Sequence, residues 1–147
     1  VEVTSKPLLI AMVGLPRSGK STIVAKLSKE LGAPIVRRDA IRLVLHGQRY
    51  ASEAEPMVKA MSLYMIKALF EAGHDTVICD ETNYSWAARN ALKDPKWETQ
   101  YYVVETSPDT CKQRAIQTGQ EDLIPIIDEM YNRYEGLEPD EKRYDPD

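Results

Sequence analysis

One feature constrains this chain more than any other: an apolar run that breaks at a glycine and leads into a lysine and a hydroxyl residue at fixed spacing. Leu8 to Val13 reads LLIAMV, and Gly14-Leu15-Pro16-Arg17-Ser18-Gly19-Lys20-Ser21-Thr22 follows at once. A continuous apolar run of this length reads as a buried strand. Ile23, Leu27 and Leu31 then recur at helical spacing until Gly32 and Pro34 end the helix. A strand and a helix thus enclose a G-x-x-x-x-G-K-S loop, the context this pattern needs. Such a loop wraps a phosphate with its backbone N–H groups pointing inward, and glycines permit the dihedrals required. The helix N-terminus adds positive dipole at the same place. Lys20 is positioned to reach β- and γ-phosphates, and the Ser21 hydroxyl to bind Mg²⁺. Gly14, Pro16, Arg17, Ser18, Gly19, Lys20, Ser21 and Thr22 are therefore the candidate phosphate-binding residues.

The rest of the chain alternates short apolar runs with amphipathic stretches. Ile35 and Val36 form a short second strand, and a long helix is expected from Glu53 to Ala72. Met57, Met61, Met65, Ala68 and Ala72 share one face of it and are expected to pack in the core, with Gly73 as the stop. Thr76 to Cys79 is a third strand, Ser85 caps a helix that ends before Asp94-Pro95, and Thr99 to Val104 is a fourth strand. Ser107-Pro108-Asp109 supplies a cap, a proline at the first helical position and an acid in the first turn. That helix runs through Arg114 toward Gly119, and a last one follows Pro125 with Ile127, Met130, Tyr131 and Tyr134 on one face. Strands alternating with helices predict a parallel sheet covered on both sides. Ligands of such sheets bind beyond the carboxyl ends of the strands.

Length and charge set the outer bounds. A chain of 147 residues fits one domain and can bury a sizeable core without disulfides or metals. No apolar run approaches the ~18 residues needed to span a bilayer, and no basic-then-apolar segment opens the chain. A cytoplasmic protein with no membrane partner is expected. The net charge is -4, and residues 135–147 alone, with six acids and two bases, account for it. Residues 136–147 therefore read as an acidic tail, solvated and frayed, behind a domain of residues 1–135. The balanced body leaves room for a local basic patch. Cys79 and Cys111 suit neither a disulfide framework nor a zinc site.

Two acidic positions face the phosphate loop in this layout. The third strand ends in Asp80-Glu81, where a phosphate-loop protein places its second metal-side acid; an ordinary strand-end turn is the plain alternative. The second strand runs into Arg37-Arg38-Asp39-Ala40-Ile41-Arg42. Asp39 sits where strand gives way to helix, across the top of the sheet from the loop. A reacting hydroxyl needs a carboxylate within hydrogen-bond reach to take its proton. The same residue type also caps helices well, and both roles can coexist. Arg42 is one turn further on the same side. No N/T-K-x-D pattern occurs and no D-x-x-G follows the third strand, which disfavours a GTPase switch. Arg49 and Tyr50 are candidates to line an acceptor channel, Tyr50 equally a loop-packing residue, while His46 and His74 read as turn residues.

With these residues in place, the sequence resembles the kinase domain of the phage and bacterial polynucleotide 5′-hydroxyl kinases, within the zeta-toxin-like P-loop kinases. GLPRSGKST, RRDAIR, VICDETN, SPDTCKQR and PIIDEMYNRY occur in the family's order and approximate spacing across nearly the whole chain. The resemblance implies an α/β, three-layer P-loop NTPase fold. It would have a parallel sheet of four to five strands, helices on both faces and a small helical lid. It implies transfer of the γ-phosphoryl from ATP, with Mg²⁺, to a 5′-hydroxyl, the acceptor being single-stranded or nicked nucleic-acid 5′ ends. On this reading Asp39 matches the general base, Arg42 the arginine that holds the acceptor's phosphate, and Lys20 and Arg114 the catalytic cations. Asp80 fits the commonest D-x-T-N form and would share the metal with Ser21, while Glu81 fits the position used in the phage enzyme. Arg38, Asn83 and Arg89 fall on the acceptor side.

One departure stands out. The family's lid helix usually carries two arginines one turn apart, and Thr118, with Gln117 beside it, occupies the second position. Losing a cation there removes transition-state stabilisation unless another one, such as Arg17, supplies it. Two other functions therefore stay open. One is a kinase of the same build acting on another hydroxyl: a nucleoside, a nucleotide sugar or a hydroxymethylated DNA base. The other is a catalytically weak nucleotide-binding module that regulates a partner. Asp39 with Arg42 speaks for the two kinases, since a binding module needs no base opposite the loop.

Overall fold

Runs that are apolar at every position must be covered on both faces, and they take the middle of the sheet. In the computed structural model, which describes residues 6–47 and 54–145, five strands pair in parallel in the order β2-β3-β1-β4-β5. The strands are β1 (Leu8–Val13), β2 (Ile35–Arg37), β3 (Thr76–Asp80), β4 (Glu98–Val103) and β5 (Lys142–Arg143). The helices are α1 (Lys20–Leu31), α2 (Arg38–His46), α3 (Glu55–Glu71), α4 (Trp86–Asn90), α5 (Pro108–Gln117) and α6 (Ile124–Asn132), with a 3₁₀ turn at Glu121–Leu123. β1 is central, with Ile10 opposite Ile78 of β3 and opposite Gln100 of β4.

The period of two along β1 sorts its side chains between two cores. Leu9, Ala11 and Val13 pack with Val58 and Ile66 of α3 and with Val77, Cys79 and Trp97. Ile10 and Met12 pack with Val24 and Leu27 of α1 and with Ile78. Helices thus cover both faces, and the molecule has the three-layer α/β architecture of P-loop NTPases. A smaller cluster joins Cys111 and Ala115 of α5 to Ile127 of α6, with Leu15 of the phosphate loop packed against it. This pair of helices is the lid. Both cysteines are free and buried. No helix among the described residues is long and apolar enough to cross a membrane.

The local signals hold where the physics is local. Ser85 Oγ accepts the Ala88 N–H at 3.1 Å and Ser107 Oγ accepts the Thr110 N–H at 3.2 Å, as their cap positions require. The long helix differs from expectation in the face it buries. Val58, Ser62 and Ile66 are buried, whereas Met57 and Met61 are exposed. Met61 and Met65 line an open groove with Ile35, Ala40 and Val44 instead. On α6 only Ile127 is buried; Tyr131 faces solvent, and Tyr134 is exposed beyond the end of the helix.

The acidic C-terminal stretch is not a frayed tail over its described length. Leu137 packs on the core, and β5 pairs with β4 through Gln100 opposite Lys142 and Tyr101 opposite Arg143. Glu141 is 5% exposed overall, and its side chain and that of Arg89 are 0% exposed. Arg89 Nε donates to Glu141 Oε2 at 3.0 Å and Nη2 to Oε1 at 3.2 Å. Nη1 also donates to the Asn83 carbonyl at 3.1 Å and Nη2 to the Gly136 carbonyl at 3.0 Å. Arg89 is therefore no acceptor-binding residue. Its whole fork is turned inward, where it holds the C-terminal strap to the loop after β3.

This buried pair carries a stability prediction. Burial pushes the Glu141 carboxyl up, but hydrogen bonds from Arg89 and the Glu138 N–H outweigh it and hold the group below its ordinary 4.5. A depressed carboxyl stabilises the fold above its unfolded value, and that contribution is lost as pH falls through the folded value. Glu141→Gln leaves Arg89 uncompensated and is expected to cost about 3–5 kcal/mol. Urea midpoints at neutral pH measure the loss. In acid the gap between wild type and variant should narrow; a constant gap would show that the charge of Glu141 contributes nothing.

Candidate active site

The site begins where β1 ends. Gly14 turns the chain, and a Cβ there would meet Ser18 Oγ at 2.9 Å and the Lys20 stem at 3.3 Å, so the position admits no side chain without a shift. Gly19 has φ 97°, in the region glycine tolerates freely. Arg17 has φ 65°, a left-handed conformation for a residue with a Cβ. The loop is stitched to its surroundings by Gly14 N–H to the Thr82 carbonyl at 3.0 Å and by Thr106 Oγ1 to the Ser18 carbonyl at 2.7 Å. Lys20 Nζ donates to the Gly14 and Leu15 carbonyls at 2.9 and 2.8 Å. Burial draws its pKa below the usual 10.5, against the opposing pull of Asp80, Glu81 and Asp39. The buried Ser18 hydroxyl has no hydrogen-bond partner among the described residues, and a phosphate oxygen at the loop would satisfy it.

From the lid, Arg114 reaches over the loop. Its Nη1 donates to the Arg17 carbonyl at 3.2 Å. Thr118, one turn on, turns its hydroxyl back to the Arg114 carbonyl at 2.9 Å and closes the end of α5. Arg114 thus lies against Arg17, which is itself a loop residue.

The acids come from the carboxyl ends of the neighbouring strands. Asp80, the last residue of β3, is 7% exposed and accepts Arg37 Nε at 2.8 Å across to the end of β2. Glu81 follows, with Oε1 taking the Thr82 N–H at 2.9 Å and Oε2 facing Arg42 Nη2 at 3.3 Å and Arg38 Nε at 3.8 Å. Arg38 also donates to Ser62 Oγ of α3 at 3.2 Å, and its buried Nη2 lacks a partner among the described residues.

Asp39 is not a helix cap. The N-cap position of α2 is Arg37, and no side chain caps this helix. The Asp39 carboxylate instead takes Arg42 Nη1 on Oδ1 at 2.7 Å, while the side chain remains 66% exposed. Arg42 is not an open fork either. Its Nε and Nη2 bind Glu55 of α3 at 2.8 and 2.7 Å. Burial opposes the charge of Arg42, but the Glu55 hydrogen bond and the surrounding carboxylates raise its pKa above the ordinary value. The same hydrogen bond lowers the Glu55 carboxyl.

The fold therefore gathers the phosphate loop, Asp39, Arg38, Arg42, Asp80, Glu81 and Arg114 around the carboxyl ends of β1, β2 and β3. Asn83 belongs beneath this site, not in it. It is 1% exposed, has φ 45°, and its Nδ2 donates to the Met12 carbonyl at 2.8 Å, supporting the strand that feeds the loop. Arg49 and Tyr50 lie outside the described residues. Arg37 and Glu55 are the site residues that sequence reasoning missed. Arg37 adjoins the arginine motif and could have been read with it; Glu55 has no local signal, because its partner sits on another helix.

Ser21 and Asp80 offer the hard oxygen ligands Mg²⁺ prefers. Among the described residues no group of three or more His, Cys, Asp or Glu side chains could hold a metal alone. Mg²⁺ in general takes one or two carboxylates and completes its shell with phosphate oxygens and water.

A family model described as an AAA domain matches residues 9–126. No curated protein sequence matches the chain. Among solved structures, a chain of a Pnkp1/Rnl/Hen1 complex superposes with TM-score 0.69 at 24% identity, over 77% of this chain and 40% of that one. The match thus covers less than half the length of that relative. A gluconokinase from Sinorhizobium meliloti superposes with TM-score 0.67 at 17% identity, over 93% of this chain and 80% of that one. The Mycobacterium tuberculosis APS kinase in complex with AMPPNP and APS superposes with TM-score 0.71 at 16% identity, over 98% and 91%. At such identities the likeness is one of fold.

Proposed function

The chain belongs to the AAA-domain family, and from that premise we propose that it is an ATP-dependent phosphotransferase that acts on the hydroxyl of a small molecule. The observation that carries this reading is the placement of Asp39, Asp80 and Glu81 around the Lys20 ammonium at the carboxyl ends of the strands. A loop built only to hold a nucleotide has no use for an exposed carboxylate beside it.

In this reading the loop N–H groups and Lys20 hold the β- and γ-phosphates of ATP. Ser21 and Asp80 would hold Mg²⁺, which neutralises charge on the donor phosphates. Asp39 accepts the acceptor's hydroxyl proton as that oxygen bonds to the γ-phosphorus and the bond to the ADP oxygen breaks. Arg42 keeps the Asp39 carboxylate oriented through its 2.7 Å contact. Arg114, with Arg17 near it on the loop, offers positive charge to the phosphoryl group in transit.

The resemblance to polynucleotide 5′-hydroxyl kinases and the likeness to a chain of the Pnkp1/Rnl/Hen1 complex support a second reading, with a nucleic-acid 5′ end as acceptor. That reading needs Arg42 to receive a phosphate, and Glu55 already occupies its fork. The gluconokinase and APS kinase, matched over most of their own length, fit the small-molecule reading better.

Labelled ATP presented with nucleosides, sugars and oligonucleotides decides the matter. Transfer to a nucleoside or sugar is expected. Transfer confined to oligonucleotide 5′ ends would select the second reading, and ATP binding without transfer to any acceptor would leave only a nucleotide-binding module.

A further inference from the structure

An arginine has five N–H donors and presents them along two edges. Arg42 commits four of them. Nε and one Nη2 proton go to the two oxygens of Glu55, the bidentate arrangement that planar anions seek. The second Nη2 proton faces Glu81 and one Nη1 proton faces Asp39. One Nη1 proton remains, too little for a fork. Three carboxylates surround this single guanidinium; Arg38 lies on the far side of Glu81, and Lys20 acts on Asp39 and Glu81 from the loop, so no other cation shares the Glu55 face of Arg42 closely.

We propose that Glu55 is the specificity-determining residue of the acceptor site: by closing the Arg42 fork it selects acceptors with an uncharged surround to the reacting hydroxyl, and rejects those with a phosphate beside it. The inference rests on the phosphotransferase reading and adds the acceptor class to it. A phosphate entering beside Asp39 would have to displace Glu55 from Arg42 and then lie among Asp39, Glu55 and Glu81. Like charges brought together in a partly desolvated site repel strongly, and such built-in repulsion is a common source of specificity. A neutral polyol or nucleoside meets no such cost. Its hydroxyls can donate to the carboxylates, and Asp39 has its other oxygen for the reacting proton. Arg38 is turned away from Asp39: its Nε goes to Ser62 and toward Glu81, and its unpartnered Nη2 is buried. Glu55 also sits at the first position of α3, so the helix dipole favours its charge and steadies it in place.

The test uses adenosine and adenosine 3′-phosphate as matched probes. Their affinities are measured by calorimetry, and phosphoryl transfer from ATP is followed in the same samples. Wild type should bind the 3′-phosphate no better than the nucleoside. Glu55→Ala should bind the 3′-phosphate about tenfold or more tightly than wild type does, the effect of one charge-assisted contact. Glu55→Gln, which keeps the shape of the side chain, should shift affinity in the same direction by less. The double change Glu55→Ala with Arg42→Ala should cancel the gain. A wild type that already prefers the 3′-phosphate, or a Glu55→Ala variant with no gain in binding it, overturns the proposal. The affinity shift is read without turnover. If it appears while no variant phosphorylates either probe, the role of Glu55 stands and the transferase reading is what fails.

Discussion

Lys20→Ala should lower phosphoryl transfer by about two to three orders of magnitude, the usual cost of removing one preorganised charge from a developing phosphoryl group. The reason lies in what this ammonium does in the loop. It bridges the Gly14 and Leu15 carbonyls, and burial makes its charge expensive. A donor phosphate would offer it the counter-charge that backbone carbonyls supply only weakly. Removing it therefore loses both the clamp and the neutralisation. Thermal melts should show a folded variant, because the nitrogen reaches only nearby loop carbonyls. Turnover close to wild type would sink the transferase reading outright.

Asp39→Asn should leave ATP affinity nearly unchanged and lower turnover by about 10²- to 10⁴-fold, the range for loss of a general base. The amide keeps the size of the side chain and can still accept from Arg42, but it cannot take a proton from the acceptor. Helix stability should fall by no more than about 1 kcal/mol, since Asp39 makes no capping bond in α2 and loses only the charge of its i,i+3 pair and first-turn position. Single-turnover rates at saturating ATP separate the chemical step from binding. A rate within a few-fold of wild type would mean that Asp39 is not the base, and Glu81 would become the next carboxylate to test.

The phosphate loop could be read from sequence because each of its demands is local. A glycine that leaves space for Ser18, a glycine at positive φ and a lysine at fixed spacing are all consequences of wrapping one phosphate. The same holds for Ser85 and Ser107, whose caps act across three residues. The face of α3 could not be read this way. This helix carries apolar residues all round, including Val58, Leu63, Ile66 and Phe70 beside the methionines, so periodicity alone offers several faces. Contact with β2 and β3 makes the choice. β5 was hidden for a different reason: Lys142 and Arg143 are charged, and an edge strand of two residues leaves no apolar trace.

The sharpest losses were the ion pairs. Glu55 and Glu141 look like ordinary solvated charges in sequence, while Arg42 and Arg89 read as facing an acceptor. Arg42 and Glu55 are 13 residues apart and on different helices. Nothing in the spacing of either reveals that one will close the other. The resemblance assigned Arg42 to the acceptor side but could not show that its donors are already engaged.

The pairing of Arg89 with Glu141 also orders events during synthesis. The two are 52 residues apart, and α4 leaves the ribosome well before the strap that neutralises it. Until Glu141 emerges, Arg89 has no ionic partner for the apolar place it will occupy, and an uncompensated charge keeps that place from closing. Asn83, whose carbonyl Arg89 holds and whose amide supports the strand behind the phosphate loop, waits on the same event. The nascent chain can therefore form much of its sheet early, but the floor of its nucleotide site is completed only when the last strand docks. Completion of the site thus waits until residue 141 is free of the ribosome and able to dock.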